Sequence, residues 1–344
     1  MAVWETDKAG STVGSRSPTC PPLPMVFAAV SPCPHPAVFR LADPVPAAVA
    51  RHNAVWQARW ERFLAATPPP RWEPPVPLDA EWRMRYETYL PVVEYVASLR
   101  RLARLVLPHP SWIPLALGAT VGHLSPRTCF SSLPDLWSYL PPAWCGRVTL
   151  TTEELPALFA ALADPTQFGT AAGRYPNQLT LLRERRWPAV AVLLDVGCGT
   201  GEGTREAVAA IRETGCPARG IGVTREPLEA WMATAGWFPH RLSARTPPLP
   251  GVQFVAGEAA ALPVRGPIAA ILCNGLIGGR FVQSETAFRG ILAEFARVLA
   301  PGGIVLVGCR FHAGRENALM CFRRQAEATG WRVSGDSRDL VLCR

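Results

Sequence analysis

The stretch "LLDVGCGTGEGT" (residues 193–204) closes an apolar run on an acid and then sets a glycine at every second position: Gly197, Gly199, Gly201 and Gly203. An unbroken apolar run bounded by a turn is the pattern of a strand buried on both faces, and "TREAVAAIRETG" behind it has the period of a helix that stops at Gly215. A glycine-rich turn between strand and helix lets the backbone approach a ligand and aims helix N–H groups at it. The spacing excludes two familiar nucleotide loops. Counted from Gly197, a dinucleotide G-x-G-x-x-G needs its third glycine where Glu202 stands, and no Gly-Lys-Ser/Thr follows to cradle phosphates.

Outward from this turn the alternation continues. "ARGIGVT", "VQFVAG", "PIAAILCN" and "GIVLVGC" read as strands, "EPLEAWMATAG" and "RENALMCFRRQAEATG" as helices. Ser284 is an N-cap for a helix whose stripe runs through Phe288, Ile291, Leu292, Phe295 and Leu299, and "APGG" ends it. "WRVSG" and "DLVLCR" form a closing pair, so the final strand is expected to run antiparallel. Residues 188–344 therefore predict an α/β fold: a doubly wound, seven-stranded, mostly parallel sheet with helices on both faces. Its ligand crevice belongs at the carboxyl ends of the first strands.

Residues 1–45 are rich in proline and small polar residues without an apolar period, and predict a disordered segment. Residues 46–187 predict a mainly helical N-terminal region. In it Val49, Trp56, Trp60, Phe63 and Leu64 fall near one helix face, and Val92, Tyr95, Leu99, Leu102 and Val106 repeat at three and four. Arg100, Arg101 and Arg104 take the solvated side, so the interleaved tryptophans read as core beside a charged face. Between 108 and 150 prolines limit the chain to short helices and loops.

With 344 residues and 49% hydrophobic side chains, the chain can build a sizeable core. The net charge of +8 is carried by arginine, Lys8 being the only lysine, which looks like codon composition; nucleic acid is not an expected partner. Ten cysteines without a C-x-x-C pair or a histidine cluster at zinc spacing predict reduced thiols, no metal and a cytoplasmic protein. "WIPLALGATVGHL" (112–124) is too short and interrupted to span a bilayer, so no membrane is expected.

Asp195 followed by x-G-x-G-x-G resembles motif I of the class I S-adenosylmethionine-dependent methyltransferases. The resemblance implies S-adenosyl-L-methionine as cofactor, its amino-acid end held by Asp195, Gly197, Cys198, Gly199 and Gly201. "FVAGEAAALP" (254–263) is similar to the family's G-[DE]-A-x-x-L-P, which implies that Glu258 accepts from the adenine amino group with Ala259 beside the ring. "VLAPGGIVLVG" resembles the fifth-strand signature L-x-P-G-G. Where the family ends its second strand with a ribose-binding acid, this chain has Thr224, and Glu226 in the following turn is the alternative.

"FGTAAGRYPNQLTLLRERR", then the glycine turn, then "ILCNGLIGGRF" and "LAPGGIVLVGCRF" resemble in order the segments of CheR-type glutamate methyltransferases. By that resemblance Thr170 and Arg174 contact the cofactor and Asn274 lines the reaction centre. Gly278 and Gly279 stand where CheR-type proteins carry an aromatic pair. The expected function is methyl transfer, CheR-like, to a protein carboxylate. The alternatives are a class I small-molecule methyltransferase and a non-catalytic cofactor-binding adaptor. No catalytic base is evident; Asn274, Arg174 and His312 are the candidates, His312 because a histidine beside the crevice titrates near neutrality.

Overall fold

The computed structural model describes residues 44–66, 79–107, 115, 117–119, 129–164, 168, 172–239, 246–279, 282–309 and 316–344. Thr170, His312 and all but the last two residues of the 1–45 segment lie outside the described residues. Pro44 and Val45 belong to a helix, which therefore starts slightly earlier than the composition suggests.

Seven strands make one sheet: β1 (Ala191–Val196), β2 (Ala218–Thr224), β3 (Val252–Ala256), β4 (Ile268–Asn274), β5 (Leu299–Gly308), β6 (Arg332–Gly335) and β7 (Asp339–Cys343). From edge to edge they run β3, β2, β1, β4, β5, β7, β6. The first five are mutually parallel, and β7 enters antiparallel between β5 and β6, as the short closing pair predicts. The order reverses between β1 and β4, so a crevice opens at the carboxyl ends of these two strands. The "APGG" segment differs from expectation. The helix stops at Val298 and "LAPGG" already pairs as the start of β5, with a register shift between Ile268 and Ala270 on the facing strand and Gly302 at φ +69°.

Helices α1 (Pro44–Ala66), α2 (Ala80–Tyr89), α3 (Val92–Val106), α4 (Leu133–Tyr139) and α5 (Leu155–Leu162) precede the sheet. Their core includes Val49, Trp56, Phe63, Tyr95, Leu99, Leu102, Trp137 and Phe159. Leu64 is an exception to the predicted stripe. It is 42% exposed because Val45, Val49, His52, Trp56 and Phe63 set the buried face of α1, and the residue after Phe63 turns off it. Trp56 is a core residue and Trp60 packs partly buried against the same core, as their period implies, with Arg59 lying over Trp56.

Helix α6 (Pro176–Glu184) leads into β1, α7 (Glu202–Glu213) follows it, and α8 (Pro227–Ala235) follows β2; α9 (Glu285–Val298) and α10 (Glu316–Ala328) come after β4 and β5. Leu182, Val208 and Ile211 cover one face of the sheet, and Phe288, Phe295 and Phe322 the other. Leu228, Met232 and Trp237, in and just after α8, pack into the core of the N-terminal helices, so α8 joins the two parts of the molecule.

Candidate active site

The turn after β1 takes the shape its glycines allow. Gly197, Gly199 and Gly201 have φ of +81°, +53° and +80°, a region that L side chains rarely enter. Val223 O accepts from the amides of Gly197 (2.8 Å) and Cys198 (3.1 Å), which fastens the turn to β2. The glycines differ in what surrounds them. A Cβ on Gly201 would lie 2.4 Å from the Phe254 ring, so this glycine serves packing. One on Gly199 would meet only Glu229 Oε1, at 3.6 Å, which is the open cradle a ligand backbone approach requires.

Asp195 ends the apolar part of β1 at 5% exposure and accepts from the Thr204 hydroxyl of α7 at 2.6 Å. The carboxylate thereby ties the strand to the first turns of the helix that the glycine turn enters. Burial raises its pKa to about 6, with the Thr204 hydrogen bond opposing.

At the end of β2, Thr224 and Glu226 are both buried, and the Glu226 amide donates to Thr224 Oγ1 at 3.3 Å. The carboxyl that reaches the glycine turn is a third one, Glu229 of α8. It is 5% exposed, accepts from the Thr224 hydroxyl at 2.5 Å, and lies under Gly199. Burial pushes it up to about 8, opposed by the Thr224 hydroxyl and assisted by the Glu226 charge. Sequence reasoning passed over Glu229. Its one signal was an acid among Leu228, Ala230 and Met232 on the apolar side of a helix.

Beyond β3, Glu258 forms an exposed ion pair with Arg225, Arg225 Nε to Glu258 Oε1 at 3.0 Å, across the mouth between β2 and β3. Ala259 follows, partly buried against the core.

On the other side of the switch point, Asn274 ends β4. Its Nδ2 donates to Gln178 Oε1 at 2.9 Å and its Oδ1 accepts from Gln178 Nε2 at 3.0 Å. Tyr175, the N-cap of the same helix α6, is buried with its ring against Gly308 at the end of β5. A Cβ there would lie 2.2 Å from the ring and 2.5 Å from Asn274 Oδ1. Arg174 precedes Tyr175 in a turn fastened to α7, where the Glu206 carboxylate accepts from the Gly173 amide. The structure thus brings Arg174, Tyr175, Gln178 and Asn274 to one end of the crevice. Tyr175 and Gln178 were not singled out in the sequence, although they stand within the same "GRYPNQ". The Gly278–Gly279 pair makes a tight turn: Gly278 has φ +73° and donates to Val282 O, and Gly279 donates to Leu276 O. An aromatic residue at 278 would not adopt that backbone without strain.

These groups suit a zwitterionic sulfonium nucleoside. The cradle at Gly199, the amides at the start of α7, the buried carboxyls of Asp195 and Glu229 and the polar mouth at Glu258 match, in turn, a close backbone approach, an anionic end, cationic or hydroxyl donors and a base edge.

Residues 194–307 match the family described as "Methyltransferase domain". This segment, a third of the chain, thus carries a methyltransferase domain, and S-adenosylmethionine is the cofactor. No curated protein matches the chain. Among solved structures, similarity extends to a TehB-like SAM-dependent methyltransferase from Corynebacterium glutamicum (20% identity, 52% of this chain and 97% of that one, TM-score 0.37). It also extends to a SAM-dependent methyltransferase from Aquifex aeolicus (15%, 52% and 96%, TM-score 0.38). A third is CalS10, an amino pentose methyltransferase from Micromonospora echinaspora with SAM bound (24%, 43% and 54%, TM-score 0.32). Among the described residues no helix is long and apolar enough to cross a membrane.

Proposed function

We propose that this methyltransferase esterifies a carboxylate, carried by a protein acceptor as the CheR-type resemblance implies, at the ends of β4 and β5. The observation that carries the reading is that, among the described residues, the acceptor side holds no base. Tyr175, Gln178 and Asn274 offer phenol and amide groups, none of which is a base at neutral pH. A hydroxyl or ammonium acceptor needs a group to take its proton, whereas a carboxylate is already an anion above its usual pKa of about 4.

When bound, S-adenosylmethionine supplies an electrophilic methyl group whose transfer leaves a neutral thioether. The chain's own part is placement. Asn274, held on both amide atoms by Gln178, keeps one N–H and one lone pair to orient the acceptor for in-line attack, and such alignment accounts for much of the acceleration. The carboxylate oxygen forms the new bond to carbon, and no proton changes place. In this reading Asp195, Gly197, Cys198, Gly199 and Gly201 hold the amino-acid end of the cofactor, Thr224 the sugar side, and Glu258 and Ala259 the adenine. Arg174, with Thr170 ahead of it, neutralises the cofactor's carboxylate.

The test is to incubate the protein with methyl-labelled cofactor and cell lysate, then treat the fractions with mild base. Label on protein that leaves as methanol is the expected result, and base-stable label contradicts the ester. Base-labile label confined to the small-molecule fraction would transfer the reading to a small carboxylic acid.

A further inference from the structure

Helices α1 and α3 enclose a cavity of about 670 Å³ that shares no residue with the crevice at β1 and β4. The two helices run antiparallel, because Arg59 pairs with Glu94, Trp56 meets Tyr95, and His52 bonds Ser98. The groove between them is therefore polarised along its length. At one end stand Arg51 from α1 with Arg101 and Arg104 from α3, all exposed and none in an ion pair among the described residues. At the other end the one acid of the lining, Glu94, is already neutralised by Arg59 at 2.5 Å. Between these ends the walls are apolar, with Trp56 and Ala97 beside Val55, which is 52% exposed.

The floor holds one polar pair, and it is satisfied. A carbonyl only accepts, so His52 Nε2 carries the proton shared with Val148 O at 3.1 Å, and Nδ1 accepts from the Ser98 hydroxyl at 2.9 Å. Burial, and in smaller part Arg101, hold His52 down at about 4 against the Val148 hydrogen bond, which leaves the ring neutral at pH 7. The positive charge at this end of the groove thus belongs to the arginines alone.

Three guanidinium groups gathered at one end repel one another, and a shared anion relieves all three through charge-assisted hydrogen bonds. The cavity has the volume of an ordinary small-ligand site, and exposed apolar side chains rimmed by charge mark a binding surface. The polarity selects the ligand. A nucleic acid needs a stacking face, and Trp56, at 3% exposure, offers none. An acidic helix would spread its carboxylates along a groove that is cationic at one end only. We infer that the α1–α3 groove binds a single amphiphilic anion. Its carboxylate or phosphate head lies among Arg51, Arg101 and Arg104, and its apolar body lies along Val55, Trp56 and Ala97.

Calorimetric titration of the full chain with monomeric dodecanoate and dodecyl phosphate tests this, with dodecyltrimethylammonium as the cation of equal chain length. Saturable one-to-one binding of both anions is expected. Arg51→Gln combined with Arg101→Gln should weaken it about tenfold or more, as loss of charged partners does. Ala97→Trp, which fills the apolar stretch, should weaken it as well; if that variant does not fold, the pair of exposed arginines decides. Arg323→Gln, the same change of charge on α10, should bind as wild type does. Absence of anion binding, equal affinity for the cation, or an unaltered affinity in the double arginine variant overturns the inference. Binding of an acidic amphipathic peptide, or of phosphatidylglycerol vesicles, by a chain that refuses both monomeric anions overturns it in favour of a protein or membrane partner.

Discussion

The two ends of the crevice are built by different means. The cofactor end, at β1 and β2, is made of backbone: three glycines with positive φ, amides bonded to Val223 O, and carboxyls buried behind them. The acceptor end, at β4 and β5, is made of side chains from α6 laid against Asn274 and Gly308. Backbone geometry of the first kind is set within a dozen residues of sequence, while the second joins residues 96 positions apart. The cofactor end thus lies within residues 194–307, whereas the acceptor end joins Asn274 of that segment to Tyr175 and Gln178 ahead of it.

Substitutions can separate the two ends. The largest effect is expected at Gly201→Val. The left-handed backbone costs about 1–2 kcal/mol, and displacing the Phe254 ring adds roughly 1–3 kcal/mol, so the urea midpoint should fall sharply. Gly199→Val carries the same backbone cost but its Cβ displaces no ring, so it should stay folded by circular dichroism with a smaller fall in the urea midpoint while losing cofactor binding. If both glycines behaved alike, the division between packing and binding glycines would be wrong.

At the other end, Asn274→Ala and Gln178→Ala should each lower the rate of methyl transfer, by about a hundredfold for a misplaced acceptor, with S-adenosylhomocysteine affinity nearly unchanged. Gly308→Ala should do the same by displacing Tyr175. A parallel loss of cofactor affinity would merge the two ends into one site.

The buried carboxyls make the cofactor end sensitive to pH in the free protein. Asp195 and Glu229 have folded pKa values of about 6 and about 8, above their ordinary 3.8 and 4.5. The folded state therefore binds more protons than the unfolded one between those limits, and these groups lower stability as pH rises from about 4 to about 8. Thermal melts should show this decline in wild type and a smaller one in Glu229→Gln. An identical slope would mean that Glu229 is not the buried acid described. The smallest effect belongs to the exposed Arg225–Glu258 pair, where Arg225→Gln should change stability by less than about 1 kcal/mol.

The same contrast explains what could be read in the sequence. Strand and helix alternation, the glycine turn and Asp195 are local patterns, and the sheet forms as they imply. Even the antiparallel β7 follows from the short connection before it. Glu229 escaped because a single acid in an amphipathic helix is ordinarily solvated, and only the fold shows that this one faces inward beneath Gly199. Tyr175 and Gln178 escaped because their partners, Gly308 and Asn274, are brought to them by sheet order. The turn at 278–279 carries no aromatic side chain, and the aromatic ring at this end of the crevice is that of Tyr175 at the N-cap of α6.

The central claim is that the turn at Gly197–Gly201 holds S-adenosylmethionine. Calorimetric titration of the whole chain with S-adenosylmethionine and S-adenosylhomocysteine tests it most directly. Saturable one-to-one binding of both ligands, lost in folded Gly199→Val, is the predicted result. Absence of binding to either ligand by the folded wild type, or undiminished binding in Gly199→Val, would contradict it.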